Sequence, residues 1–331
     1  MAKRKINGIF LLDKPEGISS SSALVKCRAI FKAQKGGHTG ALDPLASGLL
    51  PICLGEAAKF SSFFLEGNKR YLAQGTLGVV TTTGDREGEV VLERDIGDAV
   101  ERLESVLEQF KGTITQVPPI YSAIKVDGKP LYKYARQGKE AEVEIPKREV
   151  EIFELNLIEK TANTFTVEVY CSKGTYIRTL IADIGEALGC GAYVTHLRRT
   201  FVEGLPAGQM TTLDELQKLS NDREDKLNFS DLDSRLIAIE DALDNLPRVD
   251  IPLSIAQPLS NGVRQGPNFA EQILCQGGIK PNEMVQVRYH DYFMGVCYFT
   301  EDNVLVPKRL MDPELFREFL AKEKNLAQAQ A

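Results

Sequence analysis

The sequence predicts an α+β protein with a mixed, mostly antiparallel central sheet flanked by helices and loops, and a small β-rich module at its C-terminal end. Three observations carry that expectation. Helical and strand periods alternate along most of the chain without a strict βαβ rhythm, which disfavours an all-parallel sheet. An acidic helical stretch closes at "NLPRVDIPLS", and the runs beyond it, "MVQVRYH", "FMGVCYFT" and "NVLVP", are short and strand-like. At 331 residues, 43% hydrophobic and 26% charged, the chain can bury one large core and one small one.

Taken in order, "GIFLLDKP" reads as a strand running into a turn. Serines ahead of "SALVKCRAIFKA" offer an N-cap to a helix. "LLPICLG" has the continuous apolar character of a buried strand, and "KRYLAQGTLGV" the alternating character of a half-buried one. "DAVERLESVLEQF" is an amphipathic helix closed by Lys111-Gly112. "VEIFELNLIEK" and "TFTVEVYCS" form a hairpin about Thr161-Ala162-Asn163. "TYIRTLIADIGEALG" is a helix ending in glycine, followed by the strand "AYVTHLRRTFVE". The polar tail "LAKEKNLAQAQA" is expected to fray.

The formal charge of −6 is unevenly placed. Residues 211–250 hold eleven acids and five bases, which accounts for the whole imbalance, whereas residues 1–37 hold eight bases and two acids. Seven further bases face four acids in 122–148. Charge alone fits a solvated surface and a phosphate-binding face equally well. The apolar run before Asp13 is too short for a signal peptide, and nothing approaches a membrane span. Cys27, Cys53, Cys171, Cys190, Cys275 and Cys297 contain no C-x-x-C pair and read as buried reduced thiols. A cytoplasmic protein, with no membrane association, is expected.

The unusual stretch is "GGHTGALDPLASGLLPICLGEAAKF", residues 36–60, which holds one aspartate, Asp43, in a loop of glycine and proline. Pro44 steers Asp43 toward extended backbone, and Gly36, Gly37 and Gly40 allow a bulky ligand to come close. In isolation this Asp-Pro fits an Asx-type turn better than a presented carboxylate. His38, by itself, reads as a structural hydrogen-bonder. "SSSS" with His38 and Asp43 lacks the G-x-S-x-G elbow of a hydrolase.

The same stretch resembles the catalytic motif of the TruB family of tRNA pseudouridine synthases, and four more segments resemble that family in its order. They are "GIFLLDKPEGISS" with Lys14-Pro15, "KRYLAQGTLG" with Tyr71, "PPIYSAIKVDGKPLYKYARQG", and "CSKGTYIRTLIADIGEALGCGAYVTHLRR" with Tyr176, Arg178 and Leu197. The resemblance spans residues 8 to about 200. One departure is visible: where the family reads T-D-T-x-D-x-x-G, this chain reads "TTTGDREG", with Thr82 in the acid's place.

The resemblance implies a pseudouridine synthase fold with a catalytic domain over 1–249, a mobile thumb loop at about 120–148, a PUA-like RNA-binding module over 250–312, and a tail over 313–331. It implies isomerisation of uridine 55 in the T loop of tRNA, without cofactor or metal. Asp43 would be the nucleophile, Arg178 its ion-pair partner, and Tyr71 the residue that stacks on the base and handles a proton. Tyr176 and Leu197 would line the uracil pocket, His38 would fill space beside the displaced nucleotide, and Lys14 would support the catalytic loop. The basic N-terminal stretch, the 122–148 segment and Arg198-Arg199 would supply phosphate contacts. The partner would be the T stem-loop of tRNA, met by a monomer with no guide RNA or obligate protein partner. Two rivals remain: a noncatalytic RNA-binding or tRNA-folding protein, which has no use for Asp43, and a nucleoside or glycoside hydrolase. The hydrolase needs a second carboxylate or an activated water.

Overall fold

The computed structural model describes residues 3–122, 124–135, 137–138, 143–206, 210–225, 227–267 and 279–330. The strands are β1 (Gly8–Lys14), β2 (Gly36–His38), β3 (Ala46–Leu54), β4 (Lys69–Leu77), β5 (Val79–Thr81), β6 (Val90–Glu93), β7 (Gly112–Gln116), β8 (Lys125–Val126) and β9 (Lys129–Pro130). They continue with β10 (Arg148–Lys160), β11 (Thr164–Cys171), β12 (Ala192–Val202), β13 (Thr211–Thr212) and β14 (Leu236–Ile237), and then β15 (Arg248–Asp250), β16 (Met284–Tyr289), β17 (Tyr292–Phe299) and β18 (Leu305–Leu310). The main sheet runs β13-β1-β3-β12-β4-β11-β10-β7, with β2 on β3 and β14 on β1. Only β1–β13 and β3–β12 pair in parallel within it. It is the mixed, mostly antiparallel sheet expected from the sequence.

Which strands are apolar throughout, and which alternate, follows from what covers them. In β1, Phe10 and Leu12 face one core while Ile9 and Leu11 face another; in β3, Leu50 and Ile52 oppose Leu49 and Cys53. Both strands are covered on both faces, hence the unbroken runs "GIFLLDK" and "LLPICL". Strand β11, covered on one face, alternates strictly instead, with Phe165, Val167, Val169 and Cys171 inward. Each fully buried Leu, Ile or Phe contributes about 1.5–3 kcal/mol.

The helices are α1 (Ser20–Phe31), α2 (Ser61–Leu65), α3 (Ala99–Leu107), α4 (Leu131–Ala135), α5 (Ile177–Leu188) and α6 (Leu213–Asn221), and the serine start of α1 and the glycine stop of α5 are those expected. The Ser19 hydroxyl accepts from Ser22 N to cap α1, and Gly189, at φ +87°, closes α5. Thr212 and Glu215 cap α6 reciprocally. α5 buries Ile177, Leu180, Ile181, Ile184 and Leu188 on the face it lays against the sheet.

The second sheet, β15-β16-β17-β18, has its own core, but β17 serves two. Met294, Cys297 and Phe299 point into that core, while Phe293 and Val296 join the cluster beneath β1 and β3, with Phe293 5.5 Å from Phe60. Gln286, fully buried, donates to Glu240 O at 3.0 Å and also to Leu243 O, and Asp312 N donates to Glu56 Oε2 at 2.8 Å. The tail expected to fray is helical over Pro313–Gln330. Phe316, Phe319 and Leu320, at helical spacing, pack on Tyr289 and Tyr292 and hold the first turns. Cys27, Cys53, Cys171, Cys190 and Cys297 are free and buried, and Cys275 lies outside the described residues. No helix among the described residues is long and apolar enough to cross a membrane.

Candidate active site

The chain between β2 and β3 crosses the mouth of a cavity of about 890 Å³, large enough for a nucleotide. Asp43 sits on that cavity's wall, and its loop is pinned from several sides. The Ser20 hydroxyl donates to Leu42 O at 2.9 Å and accepts from Leu42 N at 2.7 Å. Gly17 N donates to Pro44 O at 2.8 Å. Lys14, fully buried, donates to Pro15 O at 2.8 Å, Ile18 O at 2.7 Å and, at 3.5 Å, Pro44 O. Lys14 thus ties the turn after β1 to the Asp43 loop, the support expected of it. Burial lowers its ammonium to about 8, against the pull of Asp43.

Arg178, on the first turn of α5, is buried, and all its guanidinium nitrogens are used. Nε lies 3.0 Å from Asp43 Oδ2, and Nη1 lies 3.2 Å from Asp85 Oδ2 and 3.1 Å from Thr83 O. Nη2 donates to Tyr121 O at 3.0 Å. Sequence reasoning paired Arg178 with Asp43 and missed Asp85, which is the buried centre of the neighbouring loop. Asp85 Oδ1 accepts from Thr83 Oγ1 at 2.6 Å and from Glu87 N at 3.0 Å. The signal was present, since Asp85 fills the second acidic position of "TTTGDREG". Thr82, in the first, accepts from Glu89 N at 3.1 Å and is exposed, so it closes the β5–β6 hairpin away from the cavity.

Burial raises the Asp43 carboxyl above its ordinary value; the Arg178 guanidinium draws it back, and the charge of Asp85 adds to the upward push. The Asp43 side chain is still 44% exposed to the cavity, so a carboxylate paired with a guanidinium is presented where it can attack carbon or take a proton.

The remaining expected residues also converge on the cavity. Tyr71 on β4, Tyr176 at the start of α5, Leu197 on β12 and His38 on β2 all line it. Burial raises the Tyr71 and Tyr176 hydroxyls and lowers His38, whose Nδ1 is buried without a partner. Gln116, buried at the end of β7, fastens Tyr176 like a short stretch of ladder: its Oε1 accepts from Tyr176 N at 3.0 Å and its Nε2 donates to Tyr176 O at 3.2 Å.

Arg198 and Arg199, both expected to supply phosphate contacts, are each already engaged within the protein. Arg198 is held by Asp13 through two bonds of 2.9 and 2.7 Å. Arg199 is 1% exposed and lies at the cavity, donating to Leu49 O at 2.7 Å and Gly40 O at 2.9 Å. Strand periodicity turned it inward, opposite Tyr71 in the β12–β4 register. At the N-terminus, Arg4 is taken by Asp233 at 3.0 Å and stacks on Phe229 at 3.9 Å, which leaves Lys3, Lys5, Lys26 and Lys35 exposed. In the 122–148 segment Lys125 is exposed, and Arg136 and Lys139 lie outside the described residues. No cluster of three or more His, Cys, Asp or Glu among the described residues is placed to hold a metal.

Comparison with known proteins gives consistent matches. Residues 28–177 match the TruB family pseudouridylate synthase N-terminal domain, and residues 178–244 match the tRNA pseudouridylate synthase B C-terminal domain. The chain is 46% identical over 308 residues to the tRNA pseudouridine synthase B of Haemophilus influenzae (strain PittEE), covering 93% of this chain and 96% of that protein. It is 44% identical over 312 residues to that of Shewanella amazonensis, covering 93% and 96%. Among solved structures, it resembles a chain of a Cbf5-Nop10-Gar1 complex with a TM-score of 0.68 at 24% identity, over 93% of this chain and 86% of that one. At that identity the likeness concerns the fold.

Proposed function

The chain belongs to the TruB family of pseudouridylate synthases, an isomerase that forms pseudouridine in tRNA, and from that premise we propose its target and the residues that act. The target is uridine 55 of the T loop, and Asp43 is the nucleophile. Conversion cleaves N1–C1′, turns the base over and joins C5 to C1′. Uracil leaves as a delocalised anion, so no second carboxylate is needed to protonate it, and no water is consumed.

The observation that carries this reading is the half-exposed Asp43 carboxylate on the cavity wall, ion-paired to a buried arginine in a lining that includes Tyr71, Tyr176 and Leu197; of the other carboxylates there, Asp85 is buried behind Arg178 and Glu87 is exposed on the neighbouring loop. Arg178 orients Asp43 and draws its carboxyl back against the upward pull of its surroundings. Tyr71 stacks on the extruded base, and Tyr176 and Leu197 bound the pocket. His38 occupies space beside the displaced nucleotide. Extruding that nucleotide costs a few kcal/mol. Exposed lysines of residues 3–35 and of the 120–148 segment offset the cost through phosphate contacts, and the shape of the loop is read instead of a long sequence.

In this reading residues 1–249 carry all the chemistry, and 250–312 form a PUA-like module that adds affinity for whole tRNA. The protein works as a monomer in the cytoplasm, where its tRNA substrate is found, with no cofactor, guide RNA or obligate protein partner. The test is incubation of the purified protein with a T-arm stem-loop RNA, followed by mapping of pseudouridine. Conversion of the single T-loop position is expected, and Asp43→Asn should bind the RNA without turnover. Modification confined to another arm, or near-wild-type turnover by Asp43→Asn, would refute it.

A further inference from the structure

We propose that Arg199 is the counter-charge for the uracil anion: an unneutralised guanidinium built into the cavity that stabilises negative charge on the base as N1–C1′ breaks. The proposal rests on the functional reading above and adds a residue to it.

Arg199 is the largest fully buried side chain among the described residues. Its partners are the backbone carbonyls of Leu49 and Gly40 and the Tyr71 hydroxyl, which satisfy hydrogen bonds but carry no net charge. No carboxylate lies within ion-pair distance of it among the described residues, whereas Arg178 has Asp43 and Asp85, and Arg198 has Asp13. A desolvated cation without a counter-ion is costly and uncommon. Lys14 and Lys69 also meet backbone carbonyls, but burial lowers both to about 8, so they can shed the proton, whereas a buried guanidinium keeps its charge.

The charge is felt across the cavity. After burial itself, Arg199 is the main influence on His38, Lys69 and Tyr71, and it also acts on Lys14. His38 and Lys69 are driven toward their neutral forms, and the Tyr71 hydroxyl is made more acidic than burial alone would leave it. All three line the same cavity as Asp43. Arg199 stands opposite Tyr71 across the β12–β4 pair, and its Nη1 lies 3.1 Å from where a Cβ on Gly40 would be. Gly40 therefore gives the guanidinium its room. The cavity carries an ionised aspartate offset by Arg178 and, separately, a free positive field beside the residue that stacks on the base.

That field matches the charge of the reaction. When N1–C1′ breaks, the bonding pair stays on the uracil ring and spreads over its two carbonyl oxygens. An Asp43 oxygen holds C1′ meanwhile; when C5–C1′ forms, the Asp43–C1′ bond breaks and frees the carboxylate, C5 gives up its proton and N1 gains one. A fixed cation lowers the energy of the intervening anion by differential stabilisation, needing no reorganisation.

The experiment compares Arg199→Lys, which keeps the charge, with Arg199→Gln, which keeps a donor for the carbonyls and drops the charge. Each is assayed in single turnover on T-arm RNA containing uridine or 5-fluorouridine at the target, reading glycosidic-bond cleavage, alongside RNA affinity and thermal unfolding. Fluorine stabilises the base anion by itself, so it should substitute in part for the cation. Arg199→Gln is expected to lose about 10²-fold on uridine, the scale for removing one preorganised group from developing charge. Its loss on 5-fluorouridine should be at least several-fold smaller, Arg199→Lys should retain more turnover on uridine, and affinity should stay within a few fold. Equal losses on the two RNAs, wild-type turnover in Arg199→Gln, or failure of both variants to fold would overturn the proposal, the last by making Arg199 a structural pin. A wild-type protein inert on T-arm RNA would instead strike at the functional reading itself.

Discussion

Replacing Arg178 by methionine keeps most of the buried volume and removes the charge that two carboxylates share. Asp85 is then left 4% exposed with no cation, and Thr83 O and Tyr121 O each lose a donor. Breaking a buried pair by removing one partner costs about 3–5 kcal/mol. At about 2.1 cal/mol/K of unfolding entropy per residue, each kcal/mol is roughly 1.4 °C in Tm for a 331-residue chain, so a fall of about 4–7 °C is expected. Asp43 is affected differently. It loses the charge that opposes its burial, so its carboxyl rises further and the acid limb of single-turnover rate against pH moves to higher pH. A second substitution separates the two effects. Asp85→Asn in the Arg178→Met background removes the stranded charge and should recover at least half of the lost stability, by thermal or urea unfolding in a double-mutant cycle. It should not restore turnover, since Asp43 still lacks its partner. A loss below about 1 kcal/mol in Arg178→Met, or no recovery on adding Asp85→Asn, would refute the claim that the three residues form one charge-balanced unit.

Three further outcomes are expected. Asp85→Asn alone removes one of the charges that raise Asp43, so the acid limb should shift to lower pH, opposite in sign to Arg178→Met; single-turnover pH profiles of the two variants decide it. Phe293→Ala opens a hole between the C-terminal sheet and Phe60 and should cost about 3–5 kcal/mol in urea unfolding, whereas a freely tethered module would unfold in a separate transition that leaves the larger body unaffected. Binding of T-arm RNA should weaken with salt, and Lys125→Ala should flatten the log–log slope by about 0.7–0.9 while Arg198→Ala, engaged with Asp13, leaves it unchanged.

Much of this protein was written locally. The unbroken apolar runs of β1 and β3, the strict alternation of β11, the serine cap of α1 and the glycine stop of α5 each depend on neighbours a few residues away. Hence the α+β class, the mixed sheet and the hairpin at 161–163 could be read from the sequence. So could the singularity of Asp43, because one aspartate among glycines and prolines stands out without any fold. The first turns of the last helix were not legible because Phe316 and Phe319, just ahead of the polar tail, are held by aromatic contacts with β16 and β17. What only the tertiary structure decided was which charges meet. Asp43, Asp85 and Arg178 come from three segments far apart in the chain, and Asp85 had no visible partner until α5 was laid against its loop. Arg198 and Arg199 look alike in sequence, yet the alternation of β12 sends one to Asp13 at the rim and buries the other beside Tyr71. Gly48, at φ +96°, lets the two strands meet: a Cβ there would lie 2.2 Å from Arg199 O, so the approach of β3 to β12 needs a residue without one. Propensity and periodicity act over a few residues, whereas charge balance is settled between segments that only the packed sheet brings within reach.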